Sequence, residues 1–143
     1  SFGMTELIES SILLYGNDIR NQLKAPKFSE LYSDVKHHYE TIRKYAQNTR
    51  RSIYSFGWML DIARCIYTLH TGKIIAKTDA GQWALENNFC PVPDALKTAL
   101  KVRKSPLEFK KDESTLDYAQ TLGELIQKFA DVLEKKLEKY SCI

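Results

Sequence analysis

Apolar residues along this chain recur at intervals of three and four, and the alternation that marks a strand is scarce. Over 28–48, Phe28, Leu31, Val35, Tyr39, Ile42 and Tyr45 fall on one face, which predicts an amphipathic helix. The run 52–70, SIYSFGWMLDIARCIYTLH, is apolar nearly all round: Trp58, Met59, Ile62, Cys65, Ile66 and Leu69 cover most of its circumference. Such a helix belongs at the centre of a bundle. A third stripe, Leu116, Leu122, Leu125, Ile126, Phe129, Leu133 and Leu137, predicts one last helix over 114–139.

Shorter helices are expected at 5–15, as a turn up to Leu23, at 78–87 and at 93–104. Gly16, Pro26, Gly72 and the pair Pro91 and Pro93 punctuate them. Thr78 is the expected N-cap of the 78–87 helix, with Asp79 near its positive end. Pro93 suits the first turn of the helix it opens. Ser105-Pro106 begins a charged loop that reaches Glu113. Short links favour antiparallel neighbours, so the fold class is all-α: an up-and-down antiparallel helical bundle of about five to six helices.

Composition narrows the partners rather than the fold. The chain has 143 residues, enough for one domain with a real core. With 21 Lys+Arg against 18 Asp+Glu the net charge is +3, too small to imply nucleic acid as a partner. No apolar run is long enough to span a membrane, and SFGMTELIESS lacks the pattern of a signal peptide. Cys65, Cys90 and Cys142 are odd in number and widely spaced, so they form neither a disulfide framework nor a zinc pattern. That usage suits a reducing compartment, and a cytoplasmic location is expected.

Candidate chemistry gathers around the central helix. Gly57, Asp61, Arg64, Thr68 and Thr71 share one face, which either is solvated, with Asp61 and Arg64 as a surface pair, or lines a cleft. The stretch TGKIIAKTDAGQWALE follows, with Lys73 and Lys77. A phosphate ligand wants fixed cations and open backbone N–H groups, and Lys77 stands at a helix mouth that offers both. The plain alternative is two solvated lysines. His37 and His38 are consecutive on a helix and are expected at the surface, pointing apart. The sequence holds no GxxxxGK[ST], no nucleophile elbow and no Gly-Ser followed by DxD, so no catalytic residue is assigned and no metal ligand set is expected.

Two resemblances bear on this segment. Arg64 and His70, in RCIYTLH, are similar to the Arg-spacer-His motif of the helical ribonucleases called HEPN, in which the pair cleaves RNA across a dimer. Six residues on an ideal helix set the two side chains about 120° apart, so convergence needs a bend or a second copy. The longer run DIARCIYTLHTGKIIAKTDAGQWALE resembles the C-terminal helical, substrate-binding domain of the aminoglycoside nucleotidyltransferases, of the streptomycin/spectinomycin adenylyltransferase type. The matching positions are Arg64 with Tyr67, Thr71-Gly72-Lys73-Ile74, Lys77, and Trp83-Ala84-Leu85-Glu86. SILLYGNDIR resembles that family's link from its catalytic domain, which sets residues 1–25 apart from a bundle domain over 26–143.

The second resemblance implies a division of labour. A nucleotidyltransferase domain, in cis or in trans, would bring ATP, Mg2+ and the catalytic carboxylate. The helical domain would add phosphate and acceptor contacts without binding those cofactors alone. It implies nucleotide contacts at Lys77, Lys73 and Arg64, and acceptor contacts at Asp61, Trp58 and Glu86. A patch near Trp58, Arg64 and Lys77 is expected to be left exposed and to support a homodimer. This chain has Ala76 where the family often has proline, and a family tyrosine near ATP falls around Arg103. It has Arg50, Arg51, Ser52, Ile53 and Tyr54 where the family's acidic residues hold the drug's amines, which leaves the acceptor open. A helical interaction module without catalysis is the remaining alternative.

Overall fold

In a computed structural model the chain is described over residues 28–140. The expected elements before Pro26, the link-like segment and Cys142 lie outside the described residues. The described part is all-helical. Its α-helices are α1 (Phe28–Tyr45), α2 (Gly57–Thr71), α3 (Lys77–Glu86), α4 (Pro93–Lys104), α5 (Pro106–Phe109), α6 (Glu113–Gln120) and α7 (Gly123–Tyr140), with a 3-10 turn at Ile53–Phe56.

The apolar α2 is the hub, packed against α1, α3, α4 and α7. Met59, Ile62, Cys65 and Ile66 are fully buried, as their all-round pattern requires. They share one core with Val35 and Ile42 of α1, Leu96 of α4, and Ile126, Phe129 and Leu133 of α7. Contact register makes α1 and α7 antiparallel. The Tyr32 hydroxyl donates to the Leu137 carbonyl at 3.0 Å and the Tyr39 hydroxyl to Glu134 at 2.7 Å. Further along α1, and so further back along α7, the Arg43 guanidinium donates to Asp131 and to Glu134, each at 2.6 Å, and to the Gln127 carbonyl at 3.2 Å.

The link from α2 to α3 runs back along α2 rather than turning tightly. Gly72 ends α2 at φ 70°, and its N–H bonds the Thr68 carbonyl. A side chain would resist that left-handed conformation. The buried Thr68 hydroxyl then donates to the Lys73 carbonyl at 3.0 Å, and four residues later Lys77 reaches Asp61, two turns back. Five extended residues cover about 16 Å, close to the length of α2 from Asp61 to Thr71. The buried Ile74 anchors this return.

The single helix expected over 114–139 is two. It breaks at Thr121 and Leu122, because α6 and α7 answer to different neighbours. On α6, Asp117 and Glu113 take the Arg51 guanidinium, and the Ala119 carbonyl accepts from the Thr49 hydroxyl at 2.6 Å. On α7, Gly123 lies directly against the Gln47 backbone: a Cβ there would stand 2.0 Å from the Gln47 carbonyl oxygen. Only glycine permits that approach, and one continuous helix cannot satisfy both contacts.

Candidate functional site

The site grows from the bend between α1 and α2. The Ser55 hydroxyl donates to the Arg50 carbonyl at 2.8 Å, and Ser52 Oγ accepts the Tyr54 N–H at 3.2 Å. Together they fix the 3-10 turn and turn the Tyr54 side chain outward, where it is 80% exposed. On the next turns, Gly57, Trp58 and Asp61 point the same way. The chain's return along α2 then places Lys77 against them. The result is a cleft of about 600 Å³ between the α1–α2 bend and the mouth of α3, with Tyr45, Arg50, Tyr54, Trp58, Asp61 and Lys77 among its walls.

The mouth of α3 differs from the sequence expectation. The helix starts at Lys77, not after Thr78, and Ala76 is its N-cap. A methyl group cannot accept a hydrogen bond, so no side chain caps this end. The first-turn N–H groups lack intrahelical acceptors by geometry and lie beside a fixed ammonium. Asp79 opposes that positive end from the exposed side of the first turn. Lys77 Nζ is 3.0 Å from Asp61 Oδ1, with both side chains roughly three-tenths exposed (28% and 29%). One reading of the sequence pairs Asp61 with Arg64 on its own helix; the contact with Lys77 ties α2 to α3.

Lys77 also borders a second cleft, of about 620 Å³, on the other side of Tyr54 and Gly57. Its floor is apolar, with Phe56, Leu60 and Val102, and its charged side chains are Lys77, Arg103 and Lys110. No carboxylate lines it. Lys110 and the exposed Tyr45 are contributors that sequence reasoning missed. Arg103 was visible only as the position of a family tyrosine. A run of cations around Ser105-Pro106 is a faint signal, since such runs are most often solvated faces.

The remaining candidates are dispersed. Lys73 is exposed and lines neither cleft, and its backbone holds the turn through Thr68 and Thr71. Glu86 sits at the far end of α3, accepting from Gln82 at 3.2 Å, in a shallow groove with Lys97 and Lys101. The Arg64 Nε is buried and lines neither cleft, so the expected patch of Trp58, Arg64 and Lys77 reduces to Trp58 and Lys77. The Arg64 charge acts on His38. Far from a plain surface residue, His38 is half-buried on α1: burial lowers its pKa, with Asp61 and Asp34 opposing and His37 and Arg64 reinforcing.

His70 keeps different company, with ring centroids 5.6 Å from Trp83 and 4.8 Å from Phe89. Burial, then Lys136 and Lys139, lowers its pKa. Arg64 and His70 are thus divided between two environments and do not form a joint site within one chain. Burial pushes the Cys65 thiol far up and the Cys90 thiol up to about 11, so neither is a thiolate near neutral pH. No three His, Cys, Asp or Glu side chains gather as a metal site among the described residues. Nor is any described helix long and apolar enough to cross a membrane.

Comparison with known proteins bears on this geometry. No curated protein and no solved structure matches the chain significantly. A family model does: the aminoglycoside adenylyltransferase C-terminal domain, over residues 28–136. That span starts with α1, ends in the last turns of α7 and includes both clefts, and so the chain belongs to the family of aminoglycoside adenylyltransferase C-terminal domains.

Proposed function

We propose that this domain presents a nucleotide and an acceptor to each other across Lys77, as the accessory half of an adenylyltransferase. The streptomycin/spectinomycin type is the member whose motifs the α2–α3 segment resembles. The observation that carries the reading is that Lys77, at the uncapped mouth of α3, borders two adjoining clefts. The cleft bearing Arg103 and Lys110 suits the donor: its apolar floor can take a base, and its three cations suit phosphates. The cleft bearing Asp61 and Trp58 suits the acceptor. Lys73, Arg64 and Glu86 line neither cleft and have no ligand contact in this reading.

The chemistry in this reading is adenylyl transfer. An acceptor hydroxyl oxygen bonds to the α-phosphorus of ATP, the bond to pyrophosphate breaks, and the hydroxyl proton passes to a base. The base and the Mg2+ ligands belong to a nucleotidyltransferase domain, in cis or in trans. Lys77 contributes positive charge where phosphate charge develops, and Asp61 holds its side chain in place. The test is calorimetric titration with ATP–Mg2+ of the chain together with such a domain. Lys77→Ala should lower affinity about tenfold, the scale of one lost charge-assisted contact. Lys73→Ala should leave it unchanged. Equal affinities for wild type and Lys77→Ala would remove the reading.

A further inference from the structure

The acceptor cleft carries a charge pattern that the family's name does not suggest. Its charged lining residues are Arg50, Lys77 and Asp61. Asp61 is the sole carboxylate among them, and Lys77 occupies it at 3.0 Å. Arg50 therefore leaves the cleft with a positive surplus. A further cation is near one wall: the Lys44 ammonium is 5.2 Å from the centroid of the Tyr45 ring. The neighbouring Arg51 does not contribute, because Glu113 and Asp117 hold it on the α6 side.

The other walls are rings and neutral polar groups. Tyr45 and Tyr54 are 61% and 80% exposed, and Trp58 is half-buried between α2 and the cleft. The Asn48 amide can both donate and accept a hydrogen bond. Exposed rings attract a cation only weakly, and here fixed cations repel it from the same walls. Rings flanked by amide and hydroxyl groups suit instead the face of a sugar or an aromatic ring.

We propose that this cleft selects an uncharged or anionic hydroxyl compound that presents a ring face, of the aryl glycoside kind, and rejects polycations. The proposal rests on the reading of this cleft as the acceptor side, and a separate measurement tests it. The 143-residue chain is titrated with phenyl β-glucoside, phenyl β-glucuronide and kanamycin while backbone amide and indole N–H signals are followed by NMR. The two glycosides should move the signals of Asn48, Tyr54 and the Trp58 indole, the glucuronide binding more tightly. Kanamycin should leave them in place.

Tyr54→Ala should weaken both glycosides about fivefold, the scale of one lost ring contact. Arg50→Glu should weaken the glucuronide and admit kanamycin. Tyr54 is exposed, so its variant should keep the wild-type pattern of signals elsewhere. Tighter binding of kanamycin than of the glycosides at these signals would overturn the proposal, as would no movement with any of the three. Lys77→Ala tested against ATP fails or succeeds independently, so loss of the phosphate reading and loss of this one are distinguishable.

Discussion

The seam between α1 and α7 and the mouth between α2 and α3 are both polar, yet they use polarity in opposite ways. In the seam, one guanidinium is surrounded. Arg43 donates to the Tyr39 hydroxyl, to the side chain and backbone carbonyl of Gln127, to Asp131 and to Glu134. Burial alone would lower its pKa, and the hydrogen bonds it donates to Tyr39, Asp131 and Glu134 more than reverse that. Gln127 closes the network by donating to the Ile42 carbonyl at 3.1 Å.

At the mouth, Lys77 meets a single carboxylate, the helix end has no side-chain cap, and Tyr54 stands in solvent. A network whose donors and acceptors are matched fixes register and has little left for a ligand. A cation with one carboxylate partner among the described residues, beside open N–H groups and an exposed tyrosine ring, has interaction capacity left over. The first region is structure, and the second is where binding can occur.

Substitutions can break or sharpen that contrast. The largest effect should come from neither network but from the glycine that sets where α7 begins. Gly123→Ala puts a methyl group against the Gln47 carbonyl, and either the bend after α1 or the start of α7 must move. Urea denaturation should show a loss of about 2–3 kcal/mol, as for other overpacked sites. Arg43→Ala should cost about 1–2 kcal/mol, discounted because the Asp131 and Glu134 side chains are 63% and 44% exposed. Lys77→Ala should cost at most about 0.5 kcal/mol while weakening ATP as described above. If Lys77→Ala destabilised as much as Arg43→Ala, the distinction between the two regions would fail.

The smallest effect is a pH dependence. His38 and His70 both have pKa values lowered from 6.5 by burial. A histidine depressed in the folded state binds its proton more tightly when unfolded. Its neutral form therefore supports the fold above about pH 6.5, and stability falls as pH drops below that value toward the folded pKa. Thermal melts should shift downward between about pH 7.5 and pH 5, and the double variant His38→Gln with His70→Gln should flatten that slope. An unchanged slope in the double variant would place the acid sensitivity elsewhere.

Much of this molecule is legible in the sequence, and the limits of that legibility are physical. The all-round apolar pattern from Trp58 to Leu69 identifies the hub helix, because no solvated helix tolerates it. Gly72 ends that helix in both readings, since few residues accept its conformation. Lys77 at a helix mouth also follows from local order alone. What failed was whatever depends on contacts distant in sequence. The 114–139 stripe reads as one helix because its spacing is unbroken, and the break follows from Gln47 approaching Gly123.

The same holds for the candidate site. Side-chain periodicity places Asp61 and Arg64 on one face and suggests that they pair. The contact of Asp61 with Lys77 rests on an extended return of the chain, to which helical periodicity is blind. The second cleft, where Lys77 joins Arg103 and Lys110, likewise exists only once helices far apart in sequence are packed. Sequence alone determined which segments are helical and which one is central, because local sterics and the burial of apolar stripes act within each segment. Tertiary structure alone decided which charges meet and which rings stay exposed, because those outcomes depend on the relative placement of segments that short-range forces do not couple.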